Sequence, residues 1–464
     1  MSRRFDNQRH WFHKIAILVA FVGTAMSTCL AHGQFGTNFV QTVGGIRINT
    51  DGVLELATEQ MASQARDHNL KLLGEIDAEL QAENGLRAIS LKAIEAALKH
   101  SSESGEVLPD EIKFMAGIQR LEYLYLDEAN HDVILAGPGE AWTVDQAGNV
   151  VGTSTGRPVI RLEDFLVALR TANNANRDLG ISVSIDPTDE GIRKAQGFLA
   201  KLKRQRTGFG PKYAAQLEKA FGPQQVSLTG VPTNSRYANV LLAADFQMKR
   251  IAMHLEQSPI ASLSSVLEIA KQRRDTMNIA PRFWLECNYH PLKKSEDGLI
   301  WHLSGPGAKA LTQEMALLDG GAAKKSHPVA EIWAEQMTNG FAELAQSDIV
   351  FGELRNILDM SVIAALVEKE QLFNKVGLQA PLLTGKQDSV KLPAWQTPKT
   401  VPSFCSYTRV NGTPLVTVSG GIQVDSWEVL SEVEIDETLA EVQSLIANNQ
   451  AASKLYWNIH QSND

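Results

Sequence analysis

The residue types best suited to chemistry gather at Trp284-Leu285-Glu286-Cys287-Asn288-Tyr289-His290 and at the nearby Trp301-His302. Side chains on a strand alternate between faces, so Glu286 and His290 share one. A carboxylate with two imidazoles is a zinc-type donor set. Whether His302 joins them depends on the register of the hairpin that the two stretches are expected to form. Even-numbered pairing sets His290 opposite His302, and a shift of one residue sends them to opposite faces. The competing reading is two ordinary strand histidines beside aromatic packing. Glu286, His290 and His302 are therefore the candidate metal ligands, and no cofactor is implied.

Other patterns carry less. Gly152-Thr153-Ser154-Thr155-Gly156 matches G-x-S-x-G, but that motif requires a helix directly after the serine turn. Here Arg157-Pro158 follows, and a residue before proline is pushed away from helix, so a polar loop is expected. Gly137-Pro138-Gly139 and Gly305-Pro306-Gly307 read as turns, because neither a P-loop lysine nor a dinucleotide fingerprint accompanies them. The basic run at 201–206 reads as a solvated face. His68, His100, His131, His254, His327 and His460 are scattered without zinc-type spacing. No residue qualifies as catalytic or cofactor-binding.

The start of the chain sets the compartment. Arg3, Arg4, Arg9 and Lys14 precede the apolar run at 15–26, which is short for a membrane span, and a third zone after it ends in Ala31-His32-Gly33. Residues 1–33 are thus expected to be a cleaved signal peptide, with cleavage between Gly33 and Gln34 and an extracytoplasmic (periplasmic or secreted) product. A twin-arginine signal and a lipid-modified Cys29 are the disfavoured variants. Without 1–33 the chain keeps 40 bases and 52 acids, a formal charge of −12. That acidity argues against nucleic-acid partners, and no further apolar run predicts an integral membrane segment. Partners in the envelope, or other proteins, remain open. Cys287 and Cys405 could pair across a long loop or stay separate buried thiols.

The elements that must position these residues alternate irregularly. The expectation is an α+β protein of mixed helices and short, mostly antiparallel strands and hairpins, in two or three packed units. The segments are 34–156, an N-terminal hairpin and helical unit; 157–325, a central unit; and 326–464, C-terminal helices plus a hairpin. Strands are expected at 46–48, 53–56, 121–126, 133–135, 142–144, 150–151, 181–185, 225–228, 282–289 and 299–303. A hairpin is expected over 404–418 around Asn411-Gly412. Helices are expected at 61–80, 90–98, after Asp186-Pro187, at 236–255, 329–344, 354–372 and 437–447. Residues 381–402 are expected to run over the surface. Gly44–Leu54 also aligns without gaps on Gly420–Leu430, either as shared strand-ending chemistry or as related places in two similar sub-structures.

Several stretches together, Gly45–Leu54, 142–170, 181–191, 231–256, 295–307, 351–366 and 418–425, resemble a family of secreted planctomycete proteins catalogued as a domain of unknown function. The resemblance implies an exported protein whose whole mature region, 34–464, is one family unit, and it brings no catalytic residue with it. The leading expectation is a non-enzymatic extracytoplasmic protein that binds or assembles in the cell envelope. The alternative is an extracytoplasmic hydrolase with a site assembled from residues distant in sequence.

Overall fold

The computed structural model describes Phe35 and residues 40–176, 180–205, 211–275, 280–314, 327–387, 389–407, 415–449 and 454–459. The export segment with Gly33, Gln34 and Cys29 lies outside them, as do Arg206, the Asn411-Gly412 turn and His460.

The fold is α+β. β1 (Ile46–Ile48) and β2 (Leu54–Leu56) form the expected first hairpin, with Asn49 Oδ1 accepting from the N–H groups of Asp51 and Val53. This is the Asx turn that the Asn-Thr-Asp-Gly stretch encodes. A seven-stranded sheet runs in the order β18 (Val433–Ile435), β11 (Leu292–Lys294), β12 (Ile300–His302), β4 (Tyr123–Asp127), β5 (Asp132–Gly139), β3 (Asn84–Ser90) and β19 (Tyr456–Asn458). A six-stranded sheet runs β13 (Gly307–Glu314), β10 (Pro281–Asn288), β17 (Ser419–Val424), β8 (Ile181–Asp186), β9 (Gln224–Thr229) and β14 (Thr400–Val401). β6 (Trp142–Val144) pairs with β7 (Val150–Gly152), and β15 (Ser406–Tyr407) with β16 (Leu415–Val416). Among the described residues only β10–β17 and β11–β18 are parallel pairs. Both large sheets take strands from all or most of the chain, so the three sequence segments do not each keep a sheet of their own.

The helix Ile349–Lys369 passes through the middle of the core. Every residue from Val350 to Val367 is buried, which is why the segment reads as apolar all round. It packs on the helices Leu162–Thr171, Arg236–Ala252 and Pro328–Ser347 and on β13. Among the described residues no helix is long and apolar enough to cross a membrane. Ser235 caps Arg236–Ala252 by accepting from the Ala238 N–H, as its position predicts.

Six expectations need correction. The first is Gly137-Pro138-Gly139, which is no turn but the end of β5, with Gly137 opposite Arg87 and Gly139 opposite Asn84 of β3. The strand 282–289 does not pair with 299–303. β12 pairs instead with β11, Lys293 opposite His302, around the Ser295–Gly298 turn, while β10 crosses to the other sheet beside β13 and β17. Asp186 does not cap the helix Asp189–Gln205: Thr188 Oγ1 takes the Gly191 N–H, and Asp186 accepts from Arg282 Nη2 at 2.9 Å. The helix expected over 61–80 stops at Leu72, where the Gly74 N–H is held by Asp110 Oδ2, and a separate 3-10 turn covers Ala78–Leu80. Residues 381–402 are partly inside, because the buried Glu95 carboxylate accepts the N–H groups of Leu382 and Leu383 at 2.9 Å each. In the 404–418 hairpin Ser406 faces Val416, whereas a two-residue loop at 411–412 requires it to face Thr417.

The Gly-Gly echo does not mark related places in two similar sub-structures: Gly44-Gly45 precede β1, whereas Gly420-Gly421 lie inside β17. β1 belongs to an isolated two-stranded hairpin and β17 to the middle of the six-stranded sheet. Asn49 closes its own turn, while its counterpart Asp425 accepts the N–H of Cys287 on β10.

Candidate functional site

β10 alternates strictly between core and surface: Phe283, Leu285 and Cys287 point inward, Trp284, Glu286 and Asn288 outward. Where it ends, the chain forms the rim of an open cleft of about 210 Å³. Asn288, Tyr289, His290, Lys309, Asp425 and Glu428 are among its lining residues. Lys309 comes from β13, which sets it opposite Glu286. Asp425 and Glu428 come from β17's exit into the short helix Ser426–Val429.

Behind this rim lies a buried charged network. The Tyr289 hydroxyl donates to Asp359 Oδ1 at 2.7 Å, and Arg120 Nε donates to Asp359 Oδ2 at 3.0 Å. Arg120 Nη2 also donates to the Gly305 carbonyl at 2.9 Å. Asp359 is fully buried in the central helix. Burial and the neighbouring Asp359 carboxylate push the Tyr289 phenol well above its usual range. One turn earlier on the same helix, Arg355 is buried with its Nε lacking an acceptor, and desolvation lowers its pKa. The glycines of Gly305-Pro306-Gly307 are required by close approach. Gly305 has φ +136, and a Cβ there would lie 2.7 Å from Tyr289 Cα; one on Gly307 would lie 2.8 Å from Arg355 Cγ. The Gly-Pro-Gly stretch joining β12 to β13 thus passes close against Tyr289 and Arg355, and its Gly305 carbonyl accepts from Arg120. Arg120, the 289–305 stretch and the Arg355–Asp359 turn are far apart in sequence, and no known motif links them.

The three candidate metal ligands part company. Glu286 and His290 stay beside the cleft, and burial together with Asp425 and Glu428 raises the Glu286 pKa. The His290 N–H of the backbone bonds the Ser304 carbonyl, and its exposed ring reaches Ser304 Oγ only at 3.4 Å. His302 sits in the other sheet, stacked on Tyr123 at 4.5 Å, with burial and Lys293 lowering its pKa. Among the described residues no three His, Cys, Asp or Glu side chains come together as a metal-holding group.

The two thiols are also apart, and both are free. Cys287 faces the main core, where burial and Asp425 push its pKa well up. Cys405 packs in a small separate cluster with Ala195, Leu199 and Leu217, and burial with Glu218 pushes it up to about 12. A thiol held protonated is a poor nucleophile. The G-x-S-x-G loop wraps a buried carboxylate: Glu140 accepts from the Ser154 N–H at 2.7 Å, from the Thr155 hydroxyl and from Gln119 Nε2 at 2.5 Å. Val151 bridges to Pro158 across it, so the loop closes a strand turn and opens no helix.

Two further ionic centres tie elements together. Arg236 binds both Asp164 and Glu353, linking three helices. Lys249 Nζ donates to Ile185 O at 2.7 Å, Asp245 Oδ2 at 2.8 Å and Gly420 O at 3.0 Å, and Asp245 Oδ2 also takes the Ile185 N–H at 3.1 Å. β17 and β8 pair only from Gly421↔Ser184 to Val424↔Ile181. The dyad therefore satisfies the backbone groups just past that ladder, where unpaired donors and acceptors are costly.

Comparison with curated proteins and with solved structures gives no match. One family model, described as a protein of unknown function (DUF1598), matches residues 183–265, the stretch from within β8 through β9 and the helix Arg236–Ala252 to Ser265, which caps the short helix Val266–Gln272, and it includes the Asp245–Lys249 dyad.

Proposed function

We propose that this chain is an exported, extracytoplasmic protein that binds or assembles with components of the cell envelope, using the cleft at the end of β10. The observation that carries the binding half is how its polar groups are engaged. Asp425 accepts the Cys287 N–H at 2.8 Å and Tyr289 is committed to Asp359, so both serve as fixed walls. What they leave for a ligand is a rim of opposite charges, Lys309 against Glu286 and Glu428, suited to recognising polar groups. Export rests on the basic and apolar pattern of residues 1–33. The resemblance to secreted planctomycete proteins supports the same compartment and the whole region 34–464 as one unit.

The rival is an extracytoplasmic hydrolase. In its favour, the cleft collects His290, Lys309 and Asp425 from three distant segments. Photo-crosslinking from position 290 in intact cells separates the two. The binding reading expects one or a few envelope products, lost on Lys309→Glu. A crosslink pattern unchanged by Lys309→Glu, or soluble cytosolic products alone, would overturn it.

A further inference from the structure

Of the four edges of the two large sheets, three are covered among the described residues and one is not. On β13 the Ala310 N–H is taken by Thr338 Oγ1 of the helix Pro328–Ser347, at 2.9 Å. β14 is bridged by the first hairpin, Val53 to Thr400. Beside β19 the 3-10 segment supplies Asp77 to the Tyr456 hydroxyl and the Glu79 carbonyl to Asn458 Nδ2. β18 is the exception: all three of its residues are exposed, Val433 by 45% and Ile435 by 60%.

Its hydrogen-bonding sense is fixed by its one described neighbour. Leu292 N–H donates to Glu432 O at 3.0 Å and Asp436 N–H donates to Lys294 O at 2.9 Å, so the even-numbered residues face β11. Successive residues of a strand turn their main-chain groups to opposite sides. Val433 and Ile435 therefore aim their N–H and C=O groups at the free edge, where a bare strand is a template for another strand.

The charges select the occupant. Glu432, Glu434 and Glu437 are exposed, while of the two bases on β11 Lys293 is engaged by Asp436 at 2.8 Å and Lys294 lies over the Trp301 ring at 4.5 Å. A second copy would have to pair antiparallel about a two-fold axis. Centred on Val433, Glu434 or Ile435, such pairing sets Glu432 against Glu434, Glu434 against itself, or Glu434 against Asp436. Like charges directly opposite are destabilising. We propose that β18 receives an extended segment of a partner protein with alternating basic and apolar residues, adding an eighth strand to this sheet. Main-chain bonds to Val433 and Ile435 would hold it, their side chains would pack its apolar positions, and Glu432 and Glu434 would pair its lysines or arginines. This goes beyond the binding reading above: it adds a second site, at a sheet edge, and does not depend on the cleft at the end of β10.

The test uses the purified full chain and two synthetic peptides of equal length, one alternating Lys and Val and one alternating Glu and Val. Fluorescence anisotropy gives affinities, and amide hydrogen exchange reports on 431–437. The Lys/Val peptide should bind about tenfold or more tightly than the Glu/Val peptide and slow exchange at Val433 and Ile435. Ile435→Pro removes an outward N–H that the fold does not use, so it should abolish this slowing at an unchanged Tm. Glu434→Lys should reverse the peptide preference. Equal binding of the two peptides, or unchanged exchange at 431–437 with peptide bound, overturns the proposal. Protection that grows with protein concentration alone also overturns it, in favour of a second copy. Any of these outcomes in a protein still found in the envelope removes the edge site and leaves the extracytoplasmic reading standing.

Discussion

Replacing Lys249 by methionine should leave Asp245 as a fully buried carboxylate without its counter-ion. Lys249 is 4% exposed and Asp245 0%. Removing one member of a buried pair costs about 3–5 kcal/mol, and the Ile185 and Gly420 carbonyls lose a donor at about 1–3 kcal/mol each if they stay dry. The loss is thus comparable with the whole stability of an ordinary domain, about 5–15 kcal/mol. Its pH dependence carries the signature. Burial already raises Asp245 to about 7 against the pull of Lys249, and without the lysine the acid rises further. A carboxylate whose folded pKa lies above its unfolded one favours folding when protonated. Lys249→Met should therefore lose stability as pH climbs from about 4 toward 7 and beyond, by up to about 1.4 kcal/mol per pH unit. Asp245→Asn does the reverse. Burial lowers the Lys249 pKa, so that variant is penalised as pH falls below the unfolded lysine value of about 10. Urea denaturation of both variants at pH 5, 7 and 9 measures the two slopes. Flat profiles, or slopes of the same sign, would refute the buried dyad.

Other expectations follow from single sites. Arg87 is fully buried and donates to the carbonyls of Ala116, Ala82, Glu140 and Leu80 and to Asn458; Arg87→Met leaves these acceptors without a donor and should cost about 1–3 kcal/mol for each that stays dry, read by urea titration. Gly420→Ala puts a Cβ 1.8 Å from the Phe283 carbonyl at φ +119 and should lower stability by about 2 kcal/mol or more. Gly197→Ala, exposed in a helix with nothing within 4 Å, should raise it by about 0.5–1 kcal/mol. Cys287 and Cys405 should resist alkylation at pH 8 in the folded chain, and mass spectrometry should find both labelled after unfolding without reductant.

Legibility in the sequence followed local grammar. The Asx turn at Asn49, the Ser235 cap and the alternating strands at 181 and 282 were readable because residue type alone decides them. β3 was not, since both its faces are covered and Arg87 sits among Leu86, Ala88 and Ile89, which removes the alternation. β13 is hidden for a related reason: Gly-Ala-Lys-Ala-Leu-Thr-Gln-Glu holds a single β-branched residue, Thr312, and its place is fixed by β10 and the helix over it. His302 was assigned to the wrong partner because the short β11, only Leu292–Lys294, intervenes between β10 and the turn. The Arg120–Asp359–Tyr289 network depends on long-range packing, and the only trace it leaves in the sequence is charge inside an apolar helix, Arg355 and Asp359 among Ile357, Leu358 and Met360.

The most direct test of the central reading is compartment-resolved mass spectrometry of the protein's own N-terminus. An extracytoplasmic binding protein should be recovered outside the cytoplasm and should begin at Gln34. Recovery from the cytosol alone, with an N-terminus at Met1, would contradict it.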